Sequence, residues 1–145
     1  MTLPADIEIR PMRAEDFPRM AALWKASAGV RESLGDTPEG IAMYLARNPG
    51  MSLVAEDGGQ IVATVLCGHD GRRGFIHHMA VAATHRRYGV GRAMVGRCIA
   101  ALADAGIPKC HLFVAPDNQA GKAFWRSLGW QLRTDLEDMS IETGG

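Results

Sequence analysis

Apolar and polar positions alternate with period two over residues 6–12, where Ile7 and Ile9 take one side and Glu8 and Arg10 the other. This predicts a strand that Pro11 limits. The period then lengthens. Phe17, Met20, Leu23 and Trp24 share one face of a helix predicted over residues 15–27, with Pro18 tolerated in its first turn. Residues 29–35 carry no period and read as a loop. Thr37-Pro38-Glu39 has the order of N-cap, first helical residue and acidic first turn, opening a helix to about Arg47 that Asn48-Pro49-Gly50 stops. Two apolar runs, 51–56 and 60–68, flank Asp57-Gly58-Gly59 and predict a hairpin. A second turn over 69–74 leads to a strand at 75–82, which completes an antiparallel meander.

The second half of the chain alternates differently. A helix is predicted over residues 92–105, with Met94, Val95, Cys98, Ile99 and Leu102 inward, Gly106 as its stop and Pro108 preventing resumption. A strand at 109–115, a helix at 119–128 closed by Gly129, and a terminal hairpin of 130–133 and 136–141 follow. The strand at 75–82, the helix and the strand at 109–115 make a crossover unit, which implies parallel pairing within a mixed α/β sheet.

Composition narrows the function classes. The 145 residues are 47% hydrophobic and 22% charged, as in an ordinary soluble chain, and predict one domain over 1–145. Sixteen basic residues balance sixteen acidic ones, so no global field recruits nucleic acid or an anionic membrane. Affinity for phosphate has to be local. No run reaches the length of a signal peptide core or a membrane span, which predicts a cytoplasmic location. Cys67, Cys98 and Cys110 are odd in number and widely spaced, as free thiols in a reducing compartment would be. The five scattered histidines suggest no metal site.

Local chemistry concentrates in His85–Val95, HRRYGVGRAMV, where a strand passes through glycines into a helix. Such a junction presents free main-chain N–H groups at the positive end of a helix and so makes an anion site. Gly89 and Gly91 allow close backbone approach, and Arg86, Arg87 and Arg92 add charge. The stretch lacks the Lys-Ser/Thr of a Walker loop, and Met94 stands where a dinucleotide fingerprint needs its last glycine. A turn with solvated arginines satisfies the same bare Gly-x-Gly. A nucleic-acid patch of Arg72, Arg73, Arg86, Arg87 and Arg92 is opposed by the neutral net charge and the absence of an aromatic platform.

Arg86-Arg87-Tyr88-Gly89-Val90-Gly91 resembles the R/Q-x-x-G-x-G/A signature of the GNAT acyltransferase superfamily. Met79-Ala80-Val81 stands where that family has an apolar-x-Val strand end, and Asn118 to Trp130 resembles its N-x(6)-Y-x-x-L-G-F segment. The order of elements agrees over nearly the whole chain. The resemblance implies a GNAT-like fold, with a central mixed sheet of about six to seven strands and about four helices. It also implies acetyl-CoA as co-substrate, with no metal, and direct transfer to a primary amine of a small molecule, peptide or protein. By the same resemblance, backbone groups of Met79, Ala80 and Val81 pair with the pantetheine arm. Arg87, Tyr88, Gly89, Val90, Gly91 and Arg92 hold the pyrophosphate, with Arg86 bracing the loop. Asn118 bonds the pantetheine, Lys122 is placed for the adenosine phosphate, and Trp125 lies near the thioester sulfur. The assembly state stays open, a homodimer being compatible.

The catalytic groups depart from the family pattern. Trp125 occupies the position of the usual acid, a Tyr, and an indole N–H donates a hydrogen bond without giving up its proton. The strands at 75–82 and 109–115 hold no carboxylate, which leaves His77, His78 and His111 as titratable groups. Neighbouring strand residues point oppositely, so at most one of His77 and His78 faces the cleft. His77, sharing parity with Met79, is the favoured base and His78 the next. These departures keep a second reading in view, a non-catalytic acyl-CoA-binding module. The loop over 29–40, with Arg31, Glu32 and Asp36, is where the resemblance puts the acceptor site.

Overall fold

The structure, a computed structural model, describes residues 3–144 in two units, one running to Phe113 and one starting at Val114. In the first unit the chain forms β1 (Ile7–Pro11), α1 (Phe17–Lys25), α2 (Pro38–Arg47), β2 (Leu53–Asp57), β3 (Gln60–His69), β4 (Gly74–Val81), α3 (Val90–Asp104) and β5 (Cys110–Leu112). One sheet runs in the order β1-β2-β3-β4-β5, antiparallel throughout except for the parallel β4–β5 pair. The hairpin, the meander and the crossover through α3 therefore form as the sequence pattern predicts. Gly58 and Gly59 turn the β2–β3 hairpin at φ +58° and +86°, conformations closed to most side chains. Thr37 accepts from the Gly40 N–H at 3.0 Å and caps α2.

β3 is the central strand, and residues 61–68 are buried without a break, which explains why Thr64 is the one polar side chain among them. On one side of the sheet Met20, Leu23 and Trp24 of α1 and Ile41 of α2 pack with Val54, Ile61, Leu66 and Ala80. Met94, Val95, Cys98 and Leu102 of α3 are buried as expected, whereas Ile99 is 39% exposed. It lies one residue beyond Cys98, off the inward stripe. Gly74 admits α3 closely, since a Cβ there would sit 2.7 Å from Leu102.

Three boundaries differ from the sequence reading. A short 3-10 turn at Ala14–Asp16 precedes α1, so the helix begins only at Phe17. β5 spans three residues rather than 109–115, because its pairing with β4 ends at Ile76↔Leu112. The second unit contains α4 (Gln119–Ser127), and the expected terminal hairpin does not form. Among the described residues the sheet accordingly has five strands, not six to seven. Leu132, Leu136, Met139 and Ile141 are all exposed, so no buried face pins a register. Between them Arg133 closes a local two-hydrogen-bond pair on Asp135, at 2.9 and 2.8 Å.

A buried carboxylate ties the first elements together. Asp16 is 1% exposed and receives Arg10 through two hydrogen bonds of 2.9 Å, Arg19 at 2.8 Å and the Arg13 main-chain N–H at 2.8 Å. Arg10 and Arg19 also reach Glu56 on β2. Burial pushes the Asp16 carboxyl up, but Arg10, the Arg13 N–H and Arg19 together outweigh it and hold the group down at about 2. Because its folded pKa lies below the unfolded value of about 4, its stabilisation is complete above that pH and is lost as pH falls toward 2. Asp16→Asn is expected to lower stability by about 3 kcal/mol. Denaturant melts should also show that the variant loses part of the stability change that wild type shows between pH 4 and pH 2.

Candidate active site

The site grows from an irregularity in β4. Thr64 of β3 pairs with Ala80, but Leu66 pairs with His77, so Val65 alone faces both His78 and Met79. This is a β-bulge, one extra residue that bends its strand and breaks the alternation of side chains. His78 takes φ +50°, a left-handed conformation that a non-glycine residue keeps only where its surroundings impose it. The surroundings are buried: the Thr64 hydroxyl donates to the His78 carbonyl at 2.8 Å and accepts from the Trp24 indole N–H at 2.8 Å. Thr64 is fully buried, so both halves of its hydrogen-bonding capacity are used inside the core.

The bulge corrects the parity argument. His77 meets Tyr44 of α2 edge-on, with ring centroids 6.4 Å apart, and His78 lies 4.7 Å from the Trp24 ring of α1. Both imidazoles thus occupy the α1/α2 side of the sheet. Ala80 packs in the same cluster as Trp24, which sends Met79 to the opposite face, so His77 and Met79 do not share a side. His77 also stacks on Phe75 at 6.1 Å with the rings nearly parallel. Burial pushes the His77 imidazole below its ordinary value; the neighbouring His78 acts the same way and Asp36 opposes them. His111, on β5, packs against Phe75 at 5.7 Å.

Beyond Ile76, β4 continues to Val81 with no β5 partner among the described residues, so its main-chain edge there is open. Met79, Ala80 and Val81 lie on this open stretch. A 3-10 turn at Ala83–His85 follows, held to β2 by His85 Nε2, 2.7 Å from Asp57, while Thr84 Oγ1 lies 2.7 Å from His85 Nδ1. His85 thus anchors this turn, a role its loop position concealed. Arg86 Nε returns to the Val81 carbonyl at 3.2 Å.

The junction into α3 is tighter than the sequence reading drew it. The helix begins at Val90 rather than Arg92, so Gly91 and Arg92 belong to its first turn. Gly89, at φ +80°, is the N-cap, and Arg87 is also left-handed at φ +74°. The first intrahelical bond runs from Ala93 N–H to the Gly89 carbonyl at 3.0 Å, which leaves the N–H groups of Gly89, Val90, Gly91 and Arg92 outside the helix ladder. Among the described residues no side chain caps this end, and its first turn holds no acidic residue. Arg86, Arg87, Tyr88 and Arg92 are exposed around it, and the geometry suits a diphosphate.

The remaining expected residues belong to the second unit. Asn118 is the N-cap of α4, accepting from the Gly121 N–H at 2.9 Å. Lys122 Nζ donates to the Pro116 carbonyl at 2.6 Å. Trp125 packs edge-on against Phe124 at 5.0 Å and Trp130 at 5.1 Å, a three-ring cluster that orders the end of α4.

Comparison with known proteins bears on this arrangement. The profile of the Acetyltransferase (GNAT) family matches residues 13–130. An acetyltransferase of Pectobacterium atrosepticum is 34% identical over 125 residues, covering 86% of this chain and 88% of the relative. Among solved structures, Ard1 of Thermoplasma volcanium superposes with a TM-score of 0.77 at 19% identity, over 89% of this chain and 85% of that one. The PaiA N-acetyltransferase of Thermoplasma acidophilum, solved in complex with coenzyme A, gives 0.76 at 17% identity over 88% and 91%. The fold, the family profile and the curated relative agree: this chain belongs to the GNAT family of acetyltransferases and is an acyltransferase enzyme.

Proposed function

We propose that the enzyme moves the acetyl group of acetyl-CoA directly onto a primary amine carried by a small molecule, a peptide or a protein. The observation that carries this reading is the parting of β4 from β5. Pairing stops at Ile76↔Leu112 while β4 runs on to Val81, so an open main-chain edge leads toward the uncapped start of α3. An extended pantetheine arm fits such an edge as an added strand, and its diphosphate fits the N–H groups of Gly89 to Arg92. The coenzyme A bound by the similarly folded PaiA enzyme supports the choice of donor.

The chain's own groups then divide the work. Main-chain N–H groups along Met79–Val81 are suited to take up negative charge on the acyl oxygen. A primary amine with a pKa near ~10 arrives mostly protonated, so a proton acceptor is needed. One of His77 and His78 supplies it, both lying on the α1/α2 side of the sheet, where the 29–40 loop contributes Asp36 beside His78.

Two measurements test this. Gly89→Glu puts a carboxylate at the diphosphate position and is expected to weaken acetyl-CoA binding more than about tenfold by calorimetry, or about 1.4 kcal/mol. Gly89→Ala bears a similar backbone strain, about 1–2 kcal/mol, without the charge and is expected to lose less. Equal affinities in both variants and wild type would remove the loop from the site. Free thiol released from acetyl-CoA is expected to rise when the right amine from a panel is added. Release that ignores every amine would remove the acetyl-transfer reading.

A further inference from the structure

His78 has a partner from another part of the chain. Its Nε2 lies 2.9 Å from Asp36 Oδ1 and 2.8 Å from Oδ2, and the two side chains are only 10% and 12% exposed. An ionised carboxylate only accepts, so the proton between them belongs to Nε2, and in the neutral imidazole the lone pair is then on Nδ1. Asp36 is itself set in place. Ser33 donates to its Oδ2 from the main-chain N–H at 2.9 Å and from the hydroxyl at 3.3 Å, and Asp36 N–H donates to the Ser33 carbonyl at 3.1 Å. The His78 ring is thus held by a carboxylate on one side and the Trp24 indole on another, with its backbone pinned by Thr64. An incidental surface ion pair needs neither the left-handed backbone nor the buried clamp, and neither is cheap to maintain.

We propose that Asp36 is a positioning residue for acetyl transfer: it fixes His78 as the Nε2–H tautomer, so that Nδ1 takes the proton of the acceptor ammonium. This rests on the acetyl-transfer reading. The ammonium gives one proton to His78 Nδ1, which passes it to solvent. The freed amine nitrogen forms the C–N bond to the acetyl carbon, and the C–S bond breaks with its electron pair on sulfur. The second proton of the nitrogen ends on that thiolate, so an ammonium and a thioester become an amide, a thiol and one released proton. His77, stacked between Phe75 and Tyr44 and lacking a carboxylate at hydrogen-bond distance among the described residues, serves to pack this wall.

Histidine 15N spectra of the full chain test the tautomer apart from turnover. Wild type is expected to show His78 protonated at Nε2. Asp36→Asn, whose amide can donate to Nε2, is expected to move the proton toward Nδ1. With an amine that supports thiol release, Asp36→Asn should lower kcat by roughly 10- to 100-fold with KM for acetyl-CoA within about twofold. Asp36→Glu should recover part of the rate, and adding His78→Gln to Asp36→Asn should cost little more. A wild-type His78 protonated at Nδ1, or an Asp36→Asn enzyme with unchanged kcat, overturns the proposal while acetyl transfer stands. If wild type releases no thiol with any amine, the acetyl-transfer reading falls, and this proposal with it.

Discussion

One extra residue in β4 organises the rest of the site. A regular strand at this point would have stayed in register with both neighbours and sent His77 and His78 to opposite faces. The bulge at His78 and Met79 does neither. It lies just past the point where the pairing with β5 stops, next to the open edge of Met79–Val81, and brings two imidazoles onto the side occupied by α1 and α2. Such a kink is costly in isolation, and the protein sustains it with a buried chain of hydrogen bonds from the Trp24 indole through Thr64 to the His78 carbonyl. Thr64, the one polar side chain in the buried run 61–68, satisfies a carbonyl that the bulge leaves in the core.

The course of β4 also positions the start of α3, where the diphosphate is proposed to bind. Val81 ends the strand, its carbonyl receives Arg86, and two left-handed residues, Arg87 and Gly89, turn the chain into α3. The helix can start there uncapped because its other contacts hold it: Val90, Gly91, Met94, Val95, Cys98 and Leu102 are buried. Packing energy thus supports an N-terminus that carries unsatisfied donors, and those donors are what a diphosphate requires. At the opposite edge the Asp16 network joins β1, the turn before α1 and β2, so the frame that receives α1 is fixed by charge as well as by apolar burial.

Much of this was legible in the residues alone. The β2–β3 hairpin followed from Asp57-Gly58-Gly59, the α2 start from Thr37-Pro38, and the crossover from the order of periods, because each depends on nearby residues. The GNAT signature likewise located the Gly89 junction. Reading His77 and His78 by strand parity failed because parity counts assume an uninterrupted ladder, and no residue in HHMAV announces an insertion. The terminal hairpin failed for a related reason: alternating apolar residues make a strand only where a face is available to bury them.

By itself, then, the sequence determined the order of the elements up to the last helix, the glycine junction before α3 and the family, since short-range chemistry encodes all of these. Tertiary structure alone decided the face of the histidines, the left-handed Arg87 and the pairing of His78 with Asp36, forty-two residues earlier. Those features arise when a bulged strand, a central threonine and a distant loop satisfy one another's hydrogen bonds, and that condition has no local signature in the chain.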